Sequence, residues 1–380
     1  MNYAIDCNLA RRHYADEWLE VAQWYRGFAL EVIGNPDAVL QHLDHPIVLK
    51  KIEAEFVAST RDRAVMFEAM AYGDPSFLLT TPGPSLSGVL LKELGTPEQQ
   101  QSFQRYILQQ RARAFFAVTE PNKGSDAANL ESRLHADGTL TGEKLLFGNG
   151  AVAPIGTVLV RLGNGLLDMA ALLLTPELLA SSAVSRETLR QFAMHGAQLA
   201  HLRFERLPVP PELVLGRHLR ATERGLLGML KTFHQFRPGV SAMAIGHGQA
   251  MVDYVLRWFG VHDSALREML EEADERLARA RALNLAAADA VDRDPLQGAF
   301  VSLAKSVATQ TAEDIALELR RRLPVSGLLE HAWLSKSLAD VYAYEYMEGT
   351  TPIQMNNVLK GYERGELASE SSLTFRNGAR

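Results

Sequence analysis

Three patterns of hydrophobic and polar residues follow one another along the chain. From about residue 8 to residue 113, apolar positions recur at helical spacing, as in Trp18, Leu19, Ala22 and Tyr25, and again in Val48, Ile52 and Phe56. That period predicts helices. Gly95-Thr96-Pro97-Glu98-Gln99 reads as a helix start: Thr96 is the N-cap, Pro97 takes the first helical position, and Gln99 completes a capping box. This helix is expected to run to about residue 110. From residue 114 to about 216 the period changes. The segments 157–162 and 169–174 read as strands between Gly and Pro turns, and Pro208, Pro210 and Pro211 make a stiff exit. From about residue 220 the helical period returns. The run 226–259 is long and apolar, with an interruption expected at Arg237-Pro238. Residues 266–291 form a strongly amphipathic stretch, 298–323 a helix stopped by Pro324, and 333–346 a fourth. The end, from Gly365, reads as frayed or partner-dependent. The order predicts an α+β fold in three pieces: an N-terminal helical domain (1–113), a central β domain (114–216), a C-terminal helical bundle (217–364) and a tail (365–380).

Composition narrows the function classes. The 380 residues suffice for a large core and more than one domain. A formal net charge of −6 supplies no basic field for nucleic acid or an anionic membrane. The single cysteine, Cys7, excludes an internal disulfide and a cysteine-cluster metal site and fits a reducing, cytoplasmic setting. Charges run through the first residues, which therefore do not read as a signal peptide. The most apolar run, 166–184, contains Asp168, Pro176 and Glu177 and is not a membrane span. His42 and His45 are three apart with no third ligand after them and read as loop or surface histidines, so no metal is expected.

One stretch stands out. Residues 116–150 pass through the polar turn Thr119-Glu120-Pro121-Asn122-Lys123-Gly124-Ser125-Asp126, and further turns are read at Asp137-Gly138 and Gly142-Glu143. This grammar predicts short antiparallel strands. Pro121 fixes φ, Gly124 permits a left-handed or close-approach geometry, and Ser125 and Asp126 bond nearby backbone. On composition alone a surface hairpin explains it as well as a binding loop.

Placed between two helical blocks, the stretch resembles the signature of the acyl-CoA dehydrogenase family. The resemblance rests on Thr119-Glu120-Pro121, Gly124-Ser125-Asp126, Gly142-Glu143-Lys144 and Asn149-Gly150. Upstream, Leu94-Gly95-Thr96-Pro97-Glu98-Gln99-Gln100 is similar to the helix before the family's β domain. Downstream, Phe204-Glu205 with Val209-Pro210, and Glu348-Gly349-Thr350 followed by Ile353-Gln354, resemble its exit strand and catalytic loop. The resemblance implies FAD at the domain junction, a homodimer or homotetramer, and an acyl thioester substrate on CoA or a carrier protein. The electron acceptor is left open. It implies that Phe116, Val118 and Thr119 touch the flavin ring, that Gly124 and Ser125 border flavin and pantetheine, and that Leu146, Gly148, Arg257 and Thr350 belong to the cofactor site. It makes Glu348 the base that removes the proton α to the thioester carbonyl. Arg237 orients loop and acyl group, and Phe233 and Gly349 flank the substrate. A carboxylate must be desolvated to act on a carbon acid. Read alone, Glu348 is better explained as a helix-terminal residue before a Gly cap; the other motifs reverse that reading. Arg237 and Phe233 are equally a surface arginine and a core phenylalanine.

The sequence also departs from the family. Leu146 and Gly148 stand where ordinary members place Trp and Thr or Ser beside the flavin. Leu323-Pro324-Val325-Ser326-Gly327 replaces a glycine-rich loop. The arginine motif that reaches a partner subunit's FAD is reduced to Arg257-Trp258-Phe259-Gly260. Arg320, Arg321 and Arg322 are read either as pyrophosphate contacts or as cations at a helix C-terminus. His234 replaces a frequent acid near the pantetheine. These departures resemble the branch acting on small groups tethered to carrier proteins in polyketide and nonribosomal-peptide pathways, of the hydroxymalonyl, methoxymalonyl or aminomalonyl type found in colibactin-like clusters. An ordinary acyl-CoA dehydrogenase, or a flavin oxidase or monooxygenase on the same fold, is the alternative.

Overall fold

The computed structural model describes residues 3–124, 129–165, 167–259 and 263–367. Helices fill residues 7–104. The capping box forms as the sequence requires: Gln99 N–H donates to Thr96 Oγ1 and the Gln99 side chain accepts from Thr96 N–H. The helix Pro97–Gln104 then continues as a π-helical turn, Arg105–Gln109.

Among the described residues, eight strands follow in one sheet: β1 (Ala114–Ala117), β2 (Arg133–Leu134), β3 (Thr139–Phe147), β4 (Ile155–Arg161), β5 (Met169–Leu174), β6 (Val184–Thr188), β7 (Ala200–Pro208) and β8 (Val214–Leu215). Their spatial order is β6-β7-β3-β2-β4-β5-β8, with β1 joined to β4. β2 and β3 pair antiparallel, as read from the turn at Gly138. β1 does not pair as expected: it runs parallel to β4, with Phe116 opposite Thr157. Nor is Gly142-Glu143 a turn. Gly142 lies inside β3 at a register shift against β7, at φ +131°, and a Cβ there would come within 2.5 Å of Ser132 Cα. The glycine serves a bulge, which bends a strand as a turn residue would end it.

Strand alternation sorts β1 between two cores. Phe115 and Ala117 join the core inside the β domain with Val158, Val160 and Leu172. Ala114, Phe116 and Val118 join the core built by the helical domains. Phe116 therefore stands on the wall where the β domain meets the helices.

The C-terminal block contains the helices Leu226–Trp258, Ser264–Arg293 and Gly298–Arg322, the shorter Ala332–Asp340 with a 3₁₀ turn at Val341–Tyr346, and Thr351–Glu363. Pro238 does not interrupt the first of these. Proline removes the ladder donor that would reach His234 O, and the helix nevertheless runs on, with Asn284 Nδ2 donating to Pro238 O and Arg63 Nη1 to Gln235 O on either side of the gap. The fourth predicted helix divides at Val341, and the helix Thr351–Glu363 lies beyond those read from the sequence.

Buried polar pairs join the blocks. Arg281 and Tyr14 both donate to Glu68, and Tyr72 donates to Asp253. Lys336 bridges Asp74 and Asp340 at 2.6 Å each, while Asp340 also accepts from Met194 N–H. His13, Asp253 and Asp274 bring three possible metal-ligand atoms within 4.8 Å of one another, but the Asp253 carboxylate is already held by Tyr72, Arg12 and Gln249. Among the described residues no helix is long and apolar enough to cross a membrane.

Candidate active site

Glu348 follows the 3₁₀ turn Val341–Tyr346 and precedes the helix Thr351–Glu363. Its φ is +53° and that of Gly349 is +101°. Left-handed backbone is costly for a residue with a Cβ unless its surroundings hold it there. Here they do. Arg237 Nε donates to Glu348 O at 3.1 Å, and Gln354 Nε2 donates to Glu348 O at 2.9 Å and to Gly349 O at 3.0 Å. Lys305 Nζ donates to Glu345 O at 3.1 Å and to Gly349 O at 2.9 Å. Gly349 is favoured as glycine by its φ of +101°, which L side chains rarely adopt, and a Cβ would also press on Gln354 Nε2. Glu345 secures the next helix by accepting from Thr351 N–H and Oγ1.

The electrostatics follow from burial. Desolvation pushes the Glu348 carboxyl above the ordinary glutamate range, while Arg237, then Lys305, then its own backbone N–H pull the other way. Burial lowers Arg237 to about 10, with Glu348 opposing, so the guanidinium stays charged at neutral pH. Its Nη1 is buried without a hydrogen-bond partner. An unpaired buried donor is costly, and this one belongs to the guanidinium that holds the Glu348 loop, as a donor kept for a ligand would.

Arg237 and Phe233 lie one helical turn apart on the helix Leu226–Trp258, the guanidinium 5.5 Å from the Phe233 ring. Phe233 meets Phe116 edge to face at 5.6 Å. The structure thus connects Phe116, Phe233, Arg237 and Glu348 in one line from the β domain to the loop. Val118 O accepts from Lys144, and Thr119 O accepts from Leu145 N–H. Leu146 stands next to that bond, on a bulge of β3 at φ +59°, with more than half of its side chain exposed. Lys144 and Glu120 form a buried pair at 2.7 Å. Burial works to raise the Glu120 pKa, but Lys144 and the N–H groups of Glu131 and Ser132 hold it below the ordinary value. This pair anchors the base of the turn.

Other positions fall elsewhere. Ser125 and Asp126 lie outside the described residues. Gly124 is neither at positive φ nor crowded: a Cβ would meet nothing within 4 Å, so local backbone geometry does not require glycine there. Gly148 gives close approach to the chain itself, since a Cβ would lie 3.2 Å from Ala197 O. Arg257 Nη1 donates to Ala4 O, in the N-terminal segment of the same chain. Thr350 is the N-cap of the last helix without a capping side-chain bond. His234 is buried, donates from Nδ1 to Pro295 O, and packs on Gly298; burial lowers it to about 4. Sequence reasoning missed Lys305, although a signal existed: it occupies the buried stripe Val301, Lys305, Ala308, Ala312 at helical spacing.

The residues fit a flat, largely apolar cofactor ring at this wall. Phe116 and Phe233 make an aromatic corner, Leu146 stands exposed beside Thr119, and Arg237 keeps a free donor. Fit is poorer for a pyrophosphate at the segment 323–331. It carries no Lys or Arg, and Val325 and Leu329 are exposed. Arg320 is spent on Leu338 O and the Tyr342 ring.

Comparison with known proteins adds a separate line. Residues 115–207 match the family model described as the acyl-CoA dehydrogenase middle domain, and residues 223–362 match the acyl-CoA dehydrogenase C-terminal domain. Cyclohexane-1-carbonyl-CoA dehydrogenase of Geobacter metallireducens is 23% identical over 261 residues, 65% of this chain and 67% of that protein. Among solved structures, a glutaryl-coenzyme A dehydrogenase in its glutaryl-CoA complex aligns with a TM-score of 0.78 at 18% identity, over 93% of this chain and 96% of that one. PigA with FAD and proline aligns at 0.76 and 16% identity, over 96% of this chain and all of that one.

Proposed function

Because the chain belongs to the acyl-CoA dehydrogenase family, an FAD-dependent group of oxidoreductases, we propose that it dehydrogenates an acyl thioester with Glu348 as the base. The observation that carries this reading is the convergence on one loop of a carboxylate raised by desolvation and a buried arginine with an unused donor. Bound FAD would supply the hydride acceptor. The chain does the rest. Phe116, Val118, Thr119 and Leu146 would border the ring. Arg237 Nη1 would donate to the ligand and hold the loop from the opposite side of the guanidinium. The Glu348 carboxylate would take the proton α to the carbonyl. A raised pKa makes it a stronger base.

The substrate in this reading is a small acyl or aminoacyl group on a carrier protein. Leu146 and Gly148, in place of the bulkier polar residues usual beside the flavin, support it. So does the fold's capacity to hold a small amino acid together with FAD, as in PigA with FAD and proline. A CoA thioester is favoured by the two relatives named for CoA substrates. The deciding experiment offers acyl-CoAs and acyl carrier proteins to the yellow protein without oxygen. Bleaching by carrier-bound substrate supports the first; reduction by acyl-CoA alone overturns it. Rapid reoxidation in air with release of hydrogen peroxide would make the protein an oxidase.

The family is expected to assemble as dimers or tetramers. On the last helix, Met355, Leu359 and Tyr362 are exposed at one-turn spacing, an apolar face of the kind that subunits cover. Light scattering should give two or four times the 42.0 kDa chain mass.

A further inference from the structure

Lys305 is fully buried in the helix Gly298–Arg322, yet its ammonium makes no hydrogen bond to a carboxylate. Burying an uncompensated ammonium is expensive, and a structural lysine normally finds a carboxylate, as Lys144 and Lys336 do here. Lys305 instead spends its donors on two backbone carbonyls, those of Glu345 and Gly349. These two flank Glu348 on either side. Arg237 and Gln354 take the carbonyl between them. The loop is therefore fixed at three carbonyls, those of Glu345, Glu348 and Gly349, and the left-handed turn at Glu348 and Gly349 is the conformation those bonds select.

We propose, on the reading that Glu348 is the base, that Lys305 is a positioning residue for the reaction: it clamps Glu345 O and Gly349 O and so fixes the place from which the Glu348 carboxylate meets the substrate. Its charge acts as well. The charged groups facing Lys305 are Glu345 and Glu348 of the loop, Arg237 of the long helix and Glu313 of its own helix. Burial lowers Lys305 to about 8, leaving it cationic below that pH, where it helps keep Glu348 ionised against desolvation. Arg237 supplies the larger part of that support.

The test compares Lys305→Met with Glu348→Gln in the FAD-loaded full chain. Flavin reduction is followed in single turnovers from pH 5 to pH 9, and substrate affinity by perturbation of the flavin spectrum. Lys305→Met should slow reduction by about 100-fold, the scale set by misplacing a reacting group by about an ångström. The dissociation constant should move by less than about 3-fold. The acid limb should move to higher pH by about one unit, because a cation beside the carboxylate has gone. Lys305→Gln keeps a donor without the charge; it serves if the Met variant does not fold, and it should show the shifted limb. Normal rates and an unmoved acid limb in a folded, FAD-loaded Lys305 variant, with Glu348→Gln inactive, would overturn the clamp and leave Glu348 as the base. Retained reduction in Glu348→Gln would overturn both.

Discussion

At the scale of single residues, the site is decided by who holds the Glu348 backbone. The motif Glu348-Gly349-Thr350 was legible in the sequence as a loop with a carboxylate. What the sequence did not carry is that three donors from two other helices and the last one meet there. Lys305, Arg237 and Gln354 are separated by tens of residues, and only the bundle packing brings them together. The same contrast holds for Gly148, which the resemblance set beside a flavin and which in the fold answers to Ala197 O. Burial of Glu348 raises its pKa, so kcat/KM should rise with pH through a midpoint above the ordinary glutamate value of about 4.3. Glu120 has the opposite sign. Its depressed pKa contributes stability that is present above the ordinary value and lost as pH falls through the folded value. Glu120→Gln should cost about 3 kcal/mol at neutral pH, because it strands Lys144. It should also flatten the loss of stability between about pH 5 and pH 3, as measured by the denaturant midpoint at each pH.

At the scale of elements, the helices that rest on local chemistry were the most readable. The capping box at Thr96 and Gln99 formed as its residues dictate, and β5 matches its apolar run residue for residue. Thr96→Ala should lower stability by about 1 kcal/mol while leaving the flavin spectrum unchanged, since this helix does not enter the site. Elements ruled by distant partners were less readable. β1 lies parallel to β4 because a later strand covers it, and no turn beside it reveals that. The proline helix runs on where Arg63 and Asn284, from two other helices, bond its carbonyls, contacts that no local pattern reveals. Gly142 looks like a turn residue because a bulge and a turn both need a glycine with positive φ.

At the scale of the whole molecule, the order helical–β–helical was legible as an α+β arrangement, and the family models match the middle and C-terminal parts of it. How tightly the parts are joined was not legible there. Lys336 ties Asp74 of the N-terminal helices to Asp340, which in turn holds the loop of the β domain at Met194. Removing that cation by Lys336→Met leaves two buried carboxylates facing each other, and should cost about 3 kcal/mol or more. Phe116 belongs to the β domain and Glu348 to the C-terminal helices, blocks that this junction joins, so the variant's flavin content should fall together with its unfolding midpoint. A variant that loses stability but keeps full flavin content would separate the junction from the site.

The central claim is that Glu348 removes the proton whose loss lets the flavin be reduced. The direct measurement is the absorption spectrum of the purified protein and of Glu348→Gln, each mixed with thioester substrate in the absence of oxygen. The wild-type yellow colour should bleach, and the variant should bind FAD and substrate but bleach at least about 1,000-fold more slowly. Equal bleaching in the two proteins would contradict the account.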